Sequence, residues 1–264
     1  ILYNLYINYL LDQNERVNSM KLSIGMIVKN ESKYLEKCLT ALKPIMDNIE
    51  SELIIVDTGS TDNTVEIAKK CTDKILFHQW NDDFAEARNI TIDKSKGEWY
   101  FYIDADEILE NPNSIIEFFN TNIYKKYESM SINIKNLISE DRYDQGDVFH
   151  SIRFVKRDNK LRFYSRIHEQ LPQKEPVYIS EASIIHYGYI HTDKKLIEKK
   201  VKRNFELLKK ALQNDPNNVY LLFHLAKTYS TSENYVDALK EIEKAYNIVK
   251  NTKDNPMWIY NYMI

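Results

Sequence analysis

Glycine is scarce in this 264-residue chain, with five copies at Gly25, Gly59, Gly97, Gly146 and Gly188. None of them makes the G-x-G-x-x-G turn of a dinucleotide fold, and no Walker A loop exists, so a glycine-rich phosphate cradle is excluded. Cysteine is scarcer still: Cys38 and Cys71 form no C-x-x-C pair. Both fall on the apolar side of predicted helices and read as free buried thiols, which fits a reducing, cytoplasmic compartment. No run of about 18 apolar residues occurs, so no membrane span is expected. Charge of one sign is also missing: 36 basic and 39 acidic residues leave a net −3, and no basic excess points to nucleic acid. The opening stretch is apolar in places but lacks a basic n-region and a small-residue cleavage site. It reads as a helical extension over residues 1–20, not a signal peptide.

Apolar residues make up 43% of the chain, enough for a large core. From Lys21 short apolar runs alternate with helical periodicity. LSIGMIV (Leu22 to Val28) is continuous, as a parallel strand covered on both faces requires. Leu35, Cys38, Leu39 and Leu42 follow at helical spacing. ELIIVD (Glu52 to Asp57), KILFHQW (Lys74 to Trp80) and WYFYIDAD (Trp99 to Asp106) are further predicted strands. Between them, TDNTVEIAKKC, with Asp62 or Asn63 as N-cap, and DFAEARNITIDKS are predicted helices. This β-α-β-α-β-α-β order implies an α/β fold with a mostly parallel sheet. After Asp106, SIIEFFNTN is a predicted helix, and ESMSINIKNLIS and VFHSIRFVKR alternate as antiparallel strands. The reading places one domain over 21–192 and a helical region over 193–264.

The helical region carries a repeat signature. A tetratricopeptide repeat of about 34 residues sets Leu, small, Tyr, Ala, apolar and Ala at fixed offsets. Leu225, Ala226, Tyr229, Ala238, Ile242 and Ala245 meet them, with Pro216 where a preceding repeat ends and Pro256 with Trp258 opening another. About three repeats are normally needed for stability. With one complete repeat visible, either the array continues past Ile264 or the repeat packs on the preceding domain. A plain helical hairpin is the competing reading.

In a doubly wound sheet, ligands bind at the carboxyl ends of the strands. Here the predicted strands run into Lys29-Asn30-Glu31, Asp57-Thr58-Gly59-Ser60-Thr61-Asp62, Asn81-Asp82-Asp83 and Asp104-Ala105-Asp106-Glu107. A core has no use for such carboxylates. They suit a hard divalent cation, Mg²⁺ or Mn²⁺, shared with substrate phosphates. Asp104-x-Asp106 is the candidate ligand pair, with helix capping by Asp106 or Glu107 as the bland alternative.

KNESKYLEKCL, IIVDTGSTDNT, WNDDFAEARN, YIDADE, RIHEQ and IIHYGY occur in the order and spacing of family-two glycosyltransferases. The chain resembles that family over roughly Lys21 to Lys250, and within it the branch carrying tetratricopeptide repeats, of the sublancin-type peptide S-glycosyltransferases. The resemblance implies a GT-A fold, a Rossmann-like nucleotide-diphospho-sugar sheet, followed by an all-α repeat region. It implies a UDP-sugar donor, with Asp57 accepting from uracil, Asn30, Glu31 and Ser60 lining the nucleotide pocket, and Arg88 reaching the nucleotide or sugar. Asp104 would contact ribose and metal, Asp106 would ligate the metal, and His186 would complete the diphosphate–metal site. It also implies inversion by single displacement, which needs one base. Glu169 is the candidate, with His168 positioning it or the acceptor, and Glu107 and Asp106 are rivals. Structural alternatives stand beside each role: turn capping for Asp57, pairing of Arg88 with Asp82 or Glu86, a core histidine at 186, and a salt bridge from Glu169 to Arg166 or Arg162. Trp80 and Trp99 read as core before they read as sugar platforms. The expected acceptor is a peptide side chain, Cys or Ser/Thr, with a lipopolysaccharide-core or other envelope glycan as alternative. A non-catalytic repeat scaffold is the alternative of another class. Exposed repeat surfaces make a homodimer an expectation.

Overall fold

The computed structural model of the chain describes residues 20–137, 148–188 and 194–250. The expected extension before Met20, and Pro256 with Trp258, lie outside them. Two compact units emerge. Among the described residues, one comprises 20–81, 85–137, 148–164 and 170–188; the other comprises 82–84, 165–169 and 194–250.

The first unit is built on an eight-stranded sheet. Its strands are β1 (Leu22–Val28), β2 (Ser51–Asp57), β3 (Ile75–Phe77), β4 (Trp99–Tyr102), β5 (Glu107–Glu110), β6 (Ser129–Asn136), β7 (Val148–Lys156) and β8 (Val177–His186), in the order β3-β2-β1-β4-β7-β6-β8-β5. β3, β2, β1 and β4 are parallel, joined through α1 (Leu35–Asn48), α2 (Thr64–Ala68) and α3 (Phe84–Lys94). β7 is antiparallel to β4 and β6, β6 is parallel to β8, and β5 is antiparallel to β8. Two predicted strands are trimmed. β3 ends at Phe77 instead of Trp80, and β4 ends at Tyr102 because the chain turns at Asp104, where the Glu107 amide donates back to its carbonyl. The two aspartates therefore sit on a turn, not on an extended strand.

β4 explains why its sequence lacks polar alternation. Trp99 and Phe101 enter one core with Phe118, Phe119 and Phe154, while Tyr100 enters another with Val155, Leu161 and Phe163. Successive strand residues point to opposite faces, so both faces of the sheet are covered. The Phe101 and Phe154 rings stack at 4.0 Å. Phe118 and Phe119 come from α4 (Asn113–Asn120), and both meet Trp99 edge-on. Trp99 is fully buried and belongs to the core.

Because β1 lies between β2 and β4, the chain reverses direction across the sheet at β1. That switch point opens a crevice at the carboxyl ends of β1 and β4. Register places Val28 beside Asp57 and Asp57 beside Phe77, so the loops after β1, β2 and β3 share one edge.

The second unit holds α5 (Lys194–Asn214), α6 (Val219–Thr231) and α7 (Tyr235–Val249). Asn218 and Asn234 cap α6 and α7, accepting from the amides of Leu221 and Asp237. Leu225, Ala226, Ala238, Ile242 and Ala245, the repeat positions, are buried, and Tyr229 meets Phe205 edge-on at 5.1 Å. No described helix is long and apolar enough to cross a membrane.

Candidate active site

The edge of the sheet begins with a turn woven from two loops. Asn30 leaves β1 with φ 57°, the left-handed region that Asn tolerates better than most residues. Its Oδ1 accepts from the Thr61 amide at 2.7 Å, and its own amide donates to Ser60 Oγ at 3.0 Å. The Glu31 amide donates to Thr64 Oγ1, and the Ser32 amide to Asp62 Oδ2. Burial alone would raise Asp62, but the hydrogen bonds from Ser32 and Thr64 outweigh it and hold the carboxyl at about 2. Asp57 is 3% exposed. Its Oδ1 accepts from the amides of Gly59 (2.9 Å) and Ser60 (3.0 Å), while Oδ2 takes only a longer contact from Ser60 at 3.3 Å. The turn requires Gly59, whose φ is 104°. Asp57 thus caps its turn and still presents a second oxygen. It lines a cleft of about 510 Å³ with Lys29, Thr58, Phe77, His78, Gln79 and Trp80. Asn30, Ser60 and Asp57 stand together, and Glu31 is tied to them through its backbone.

The second group lies past β4. Arg88, on α3, is buried and donates to Asp104 Oδ1 at 2.6 Å. Burial works against the Asp104 charge, but Arg88 and then Arg153 outweigh it and hold the carboxyl at about 2. Asp106 faces His186, with Oδ1 3.6 Å from Nε2. Topology brings them together: β5 starts at Glu107, directly after the turn, and pairs Glu107 with His186, the last residue of β8. The imidazole Nδ1 donates to Asn136 Oδ1 at 2.9 Å, which turns Nε2 toward Asp106. Burial would lower His186, yet Asp106 raises it above the ordinary histidine value. Gly188 keeps the space beside this pair open. A Cβ there would lie 2.4 Å from His186 Nε2 and 2.6 Å from Asp106 Oδ2.

One member of the site was not read from sequence. Arg153, on β7, binds Glu107 with a two-pronged fork at 2.5 and 3.0 Å. Burial opposes the Arg153 charge, and Glu107 more than offsets it. Burial also pushes Glu107 above the usual carboxylate range, and both of its oxygens accept from the guanidinium, which ties it to Arg153. The sequence shows only a lone arginine on a predicted strand, which carries no mark of this role.

The remaining candidates, His168 and Glu169, belong to the helical unit. His168 has φ 52° and stacks on His224 with ring centres 3.6 Å apart. Burial first, then Lys227 and Arg203, lower His168 to about 4, and burial with His168 and Lys227 lowers His224 to about 2. Arg162 pairs with Asp93 and Arg166 with Asp83, and the Glu169 charge acts on Arg203.

Comparison with known proteins adds the following. Residues 23–122 match the model of glycosyl transferase family 2, and 207–240 match a tetratricopeptide repeat. The chain is 28% identical, over 93% of its length, to the SPbeta prophage-derived glycosyltransferase SunS of Bacillus subtilis strain 168, and spans 58% of that protein. It is 32% identical over 64% of its length to a TPR repeat-containing protein of Synechococcus elongatus, covering 42% of it. The chain thus spans little more than half of the first of these relatives and less of the second. In three dimensions it resembles S. aureus TarS 1–349, with TM-score 0.52, 15% identity, and coverage of 93% of this chain and 83% of that one. The same TarS fragment was also solved in complex with UDP-GlcNAc, at TM-score 0.51. Residues 23–122 of this chain are therefore a glycosyl transferase family 2 domain, set in a GT-A-type α/β sheet and followed by a tetratricopeptide repeat.

Proposed function

We propose that this chain is the donor-binding and catalytic part of an inverting glycosyltransferase that moves a hexose from a UDP-sugar to a peptide side chain. The observation that carries this reading is the placing of Asp57, Asp104, Asp106 and His186 at or just past strand ends of one sheet. Asp57 is suited to uracil because its less engaged oxygen matches the N3–H donor.

The donor set fits a divalent cation. Among the described residues no three His, Cys, Asp or Glu side chains converge on one point. The pair Asp106–His186, with Asp104 beside it and an open space kept by Gly188, leaves positions for diphosphate oxygens. Sharing a cation between one or two carboxylates and substrate phosphates is the usual habit of Mg²⁺, and an imidazole suits Mn²⁺ better. Bound there, the cation would neutralise charge on the departing UDP. Arg88 and Arg153 hold Asp104 ionised for that partner. Glu169 takes the acceptor proton in this reading.

The likeness to sublancin-type peptide S-glycosyltransferases favours a peptide acceptor, as does the repeat, since helical-repeat surfaces commonly hold peptides. A cysteine acceptor, with a pKa near 8.5, would ask less of the base than an alcohol. A non-catalytic scaffold would have no need to keep four ligand-type side chains in register. The test is mass spectrometry of hydrolysis and transfer products with UDP- and GDP-sugars, with and without EDTA. Turnover of UDP-sugars that stops with EDTA and returns with Mn²⁺ or Mg²⁺ supports the reading. Tighter binding of GDP than UDP, or undiminished turnover of metal-stripped protein, overturns it.

A further inference from the structure

We propose that Arg153, acting through Glu107, is a positioning residue for the Asp104–Asp106 turn. Every polar group of Asp104 is held in place. Its amide donates to Glu107 Oε2 at 2.9 Å. Its carbonyl accepts from the Glu107 amide at 3.1 Å and from the Cys38 thiol at 3.5 Å. Its carboxylate accepts from Arg88. Glu107 is thus the hub of the turn, and Arg153 is what fixes Glu107. The Arg153 fork occupies both carboxylate oxygens, so the Glu107 side chain cannot rotate without breaking two charge-assisted bonds.

A stability role alone does not account for this pair. A buried ion pair is weak evidence for stability, because desolvation of both charges offsets their attraction, and apolar side chains of similar volume often serve as well. What apolar replacements cannot supply is the acceptor for the Asp104 amide. The pair is also built into the site electrostatically. The Arg153 guanidinium lies 4.6 Å from the centre of the Tyr102 ring, and Arg88 lies 5.2 Å from the same centre. Tyr102 in turn donates to the Ile152 carbonyl at 3.1 Å, on the strand that carries Arg153. One aromatic ring therefore spaces two cations, each assigned to its own carboxylate: Arg88 to Asp104 and Arg153 to Glu107. Without Arg153, Glu107 would be a buried carboxylate with no guanidinium to hold either oxygen in place.

The consequence of the proposal for donor binding rests on the transferase reading above; the geometry of the turn does not. The experiment uses R153K, which keeps the charge but loses the planar fork, and the double variant R153M/E107M, which removes both charges at similar volume. Two readouts are taken on each. One is calorimetric titration with UDP in the presence of Mn²⁺. The other is hydrogen–deuterium exchange of the peptide spanning Ile103 to Leu109. Both variants are expected to melt close to the parent temperature, to exchange faster in that peptide only, and to bind UDP with Mn²⁺ roughly 10- to 100-fold more weakly, the usual cost of losing support behind a metal ligand. With UDP-sugar, KM should rise while kcat falls less. If the double variant does not fold, R153K decides alone. Parent-like exchange in the turn, in a variant that folds, overturns the proposal. Faster exchange with a parent protein that binds no UDP keeps the positioning role and overturns the transferase reading instead. Faster exchange with unchanged UDP affinity overturns the link between this turn and donor binding.

Discussion

The two units of this molecule handle buried polar groups in opposite ways. The sheet unit keeps charges and pairs them: Arg153 with Glu107 and Arg88 with Asp104. The helical unit tucks in two imidazoles and keeps them neutral, His168 stacked on His224. The difference follows from what each can be for. Paired charges cost desolvation and add little net stability, so a concentration of them at the carboxyl edge of a sheet belongs to a charged ligand. The helical unit follows the economy of a repeat: small residues where helices cross, an apolar stripe, and asparagine caps. In the reading proposed above, the sheet unit is the donor site and the helical unit is packing, with Glu169 as the candidate exception.

That exception gives the largest expected effect. Glu169→Gln keeps size and removes basicity. It is expected to lower kcat by roughly 10²–10⁴, the range for losing a general base, while UDP affinity stays within a few-fold. A cysteine acceptor at high pH should show a smaller loss, because thiolate forms without help. Near-normal kcat with an alcohol acceptor at neutral pH would return Glu169 to the role of an ionic partner of Arg203 and leave the helical unit without chemistry.

A smaller effect sharpens the comparison from the other side. Asp57→Ala should weaken UDP binding by roughly 10- to 100-fold, the worth of a hydrogen bond to a charged group, with the fold retained. Loss of the turn cap is part of the same substitution, so Asp57→Asn is the companion: it keeps an acceptor for the Gly59 and Ser60 amides and should recover the turn more fully than the affinity. Equal UDP affinity in all three proteins would reduce Asp57 to a capping residue.

These residues differ in how visible they were before folding. Asp57, Gly59 and Ser60 are legible because their partners are two or three positions away or on the next loop. β1 and β2 are legible because strands buried on both faces read as unbroken apolar runs. Pro44 does not stop α1, which continues to Asn48 although the spacing at Leu35, Cys38, Leu39 and Leu42 ends before it. Arg153 was not legible. Its partner is 46 residues away and joins it only through strand order, and a lone arginine in an alternating strand carries no mark of its role. His224 is the same case. Nothing in VYLLFHLAKTY says that its ring will meet one from a segment 56 positions upstream, since each lies on its own element until the helices pack.

The smallest expected effect tests the neutral histidine pair, and its sign follows from linkage. Folded His168 titrates at about 4 and folded His224 at about 2, both below the 6.5 of an unperturbed histidine. Well above pH 6.5 neither the folded nor the unfolded chain binds these protons, and stability is at its full value. As pH falls below 6.5 the unfolded chain takes up protons that the folded unit refuses, so stability is lost progressively toward pH 4. The paired carboxylates of the sheet unit behave differently. Asp104 and Asp62 titrate at about 2, so their contribution persists until pH falls below the ordinary carboxylate range. Mild acid should therefore weaken the helical unit first. Between pH 7 and 5.5 each imidazole should cost about 1 kcal/mol. His224→Phe keeps an aromatic ring against His168 and removes one of the two protonation sites. In urea denaturation followed by far-UV circular dichroism, the variant should lose about 1 kcal/mol less than the parent across that interval. Equal losses in the two proteins would mean that His224 takes up a proton in the folded unit as readily as in the unfolded chain, and the contrast between the two units would fail at that point.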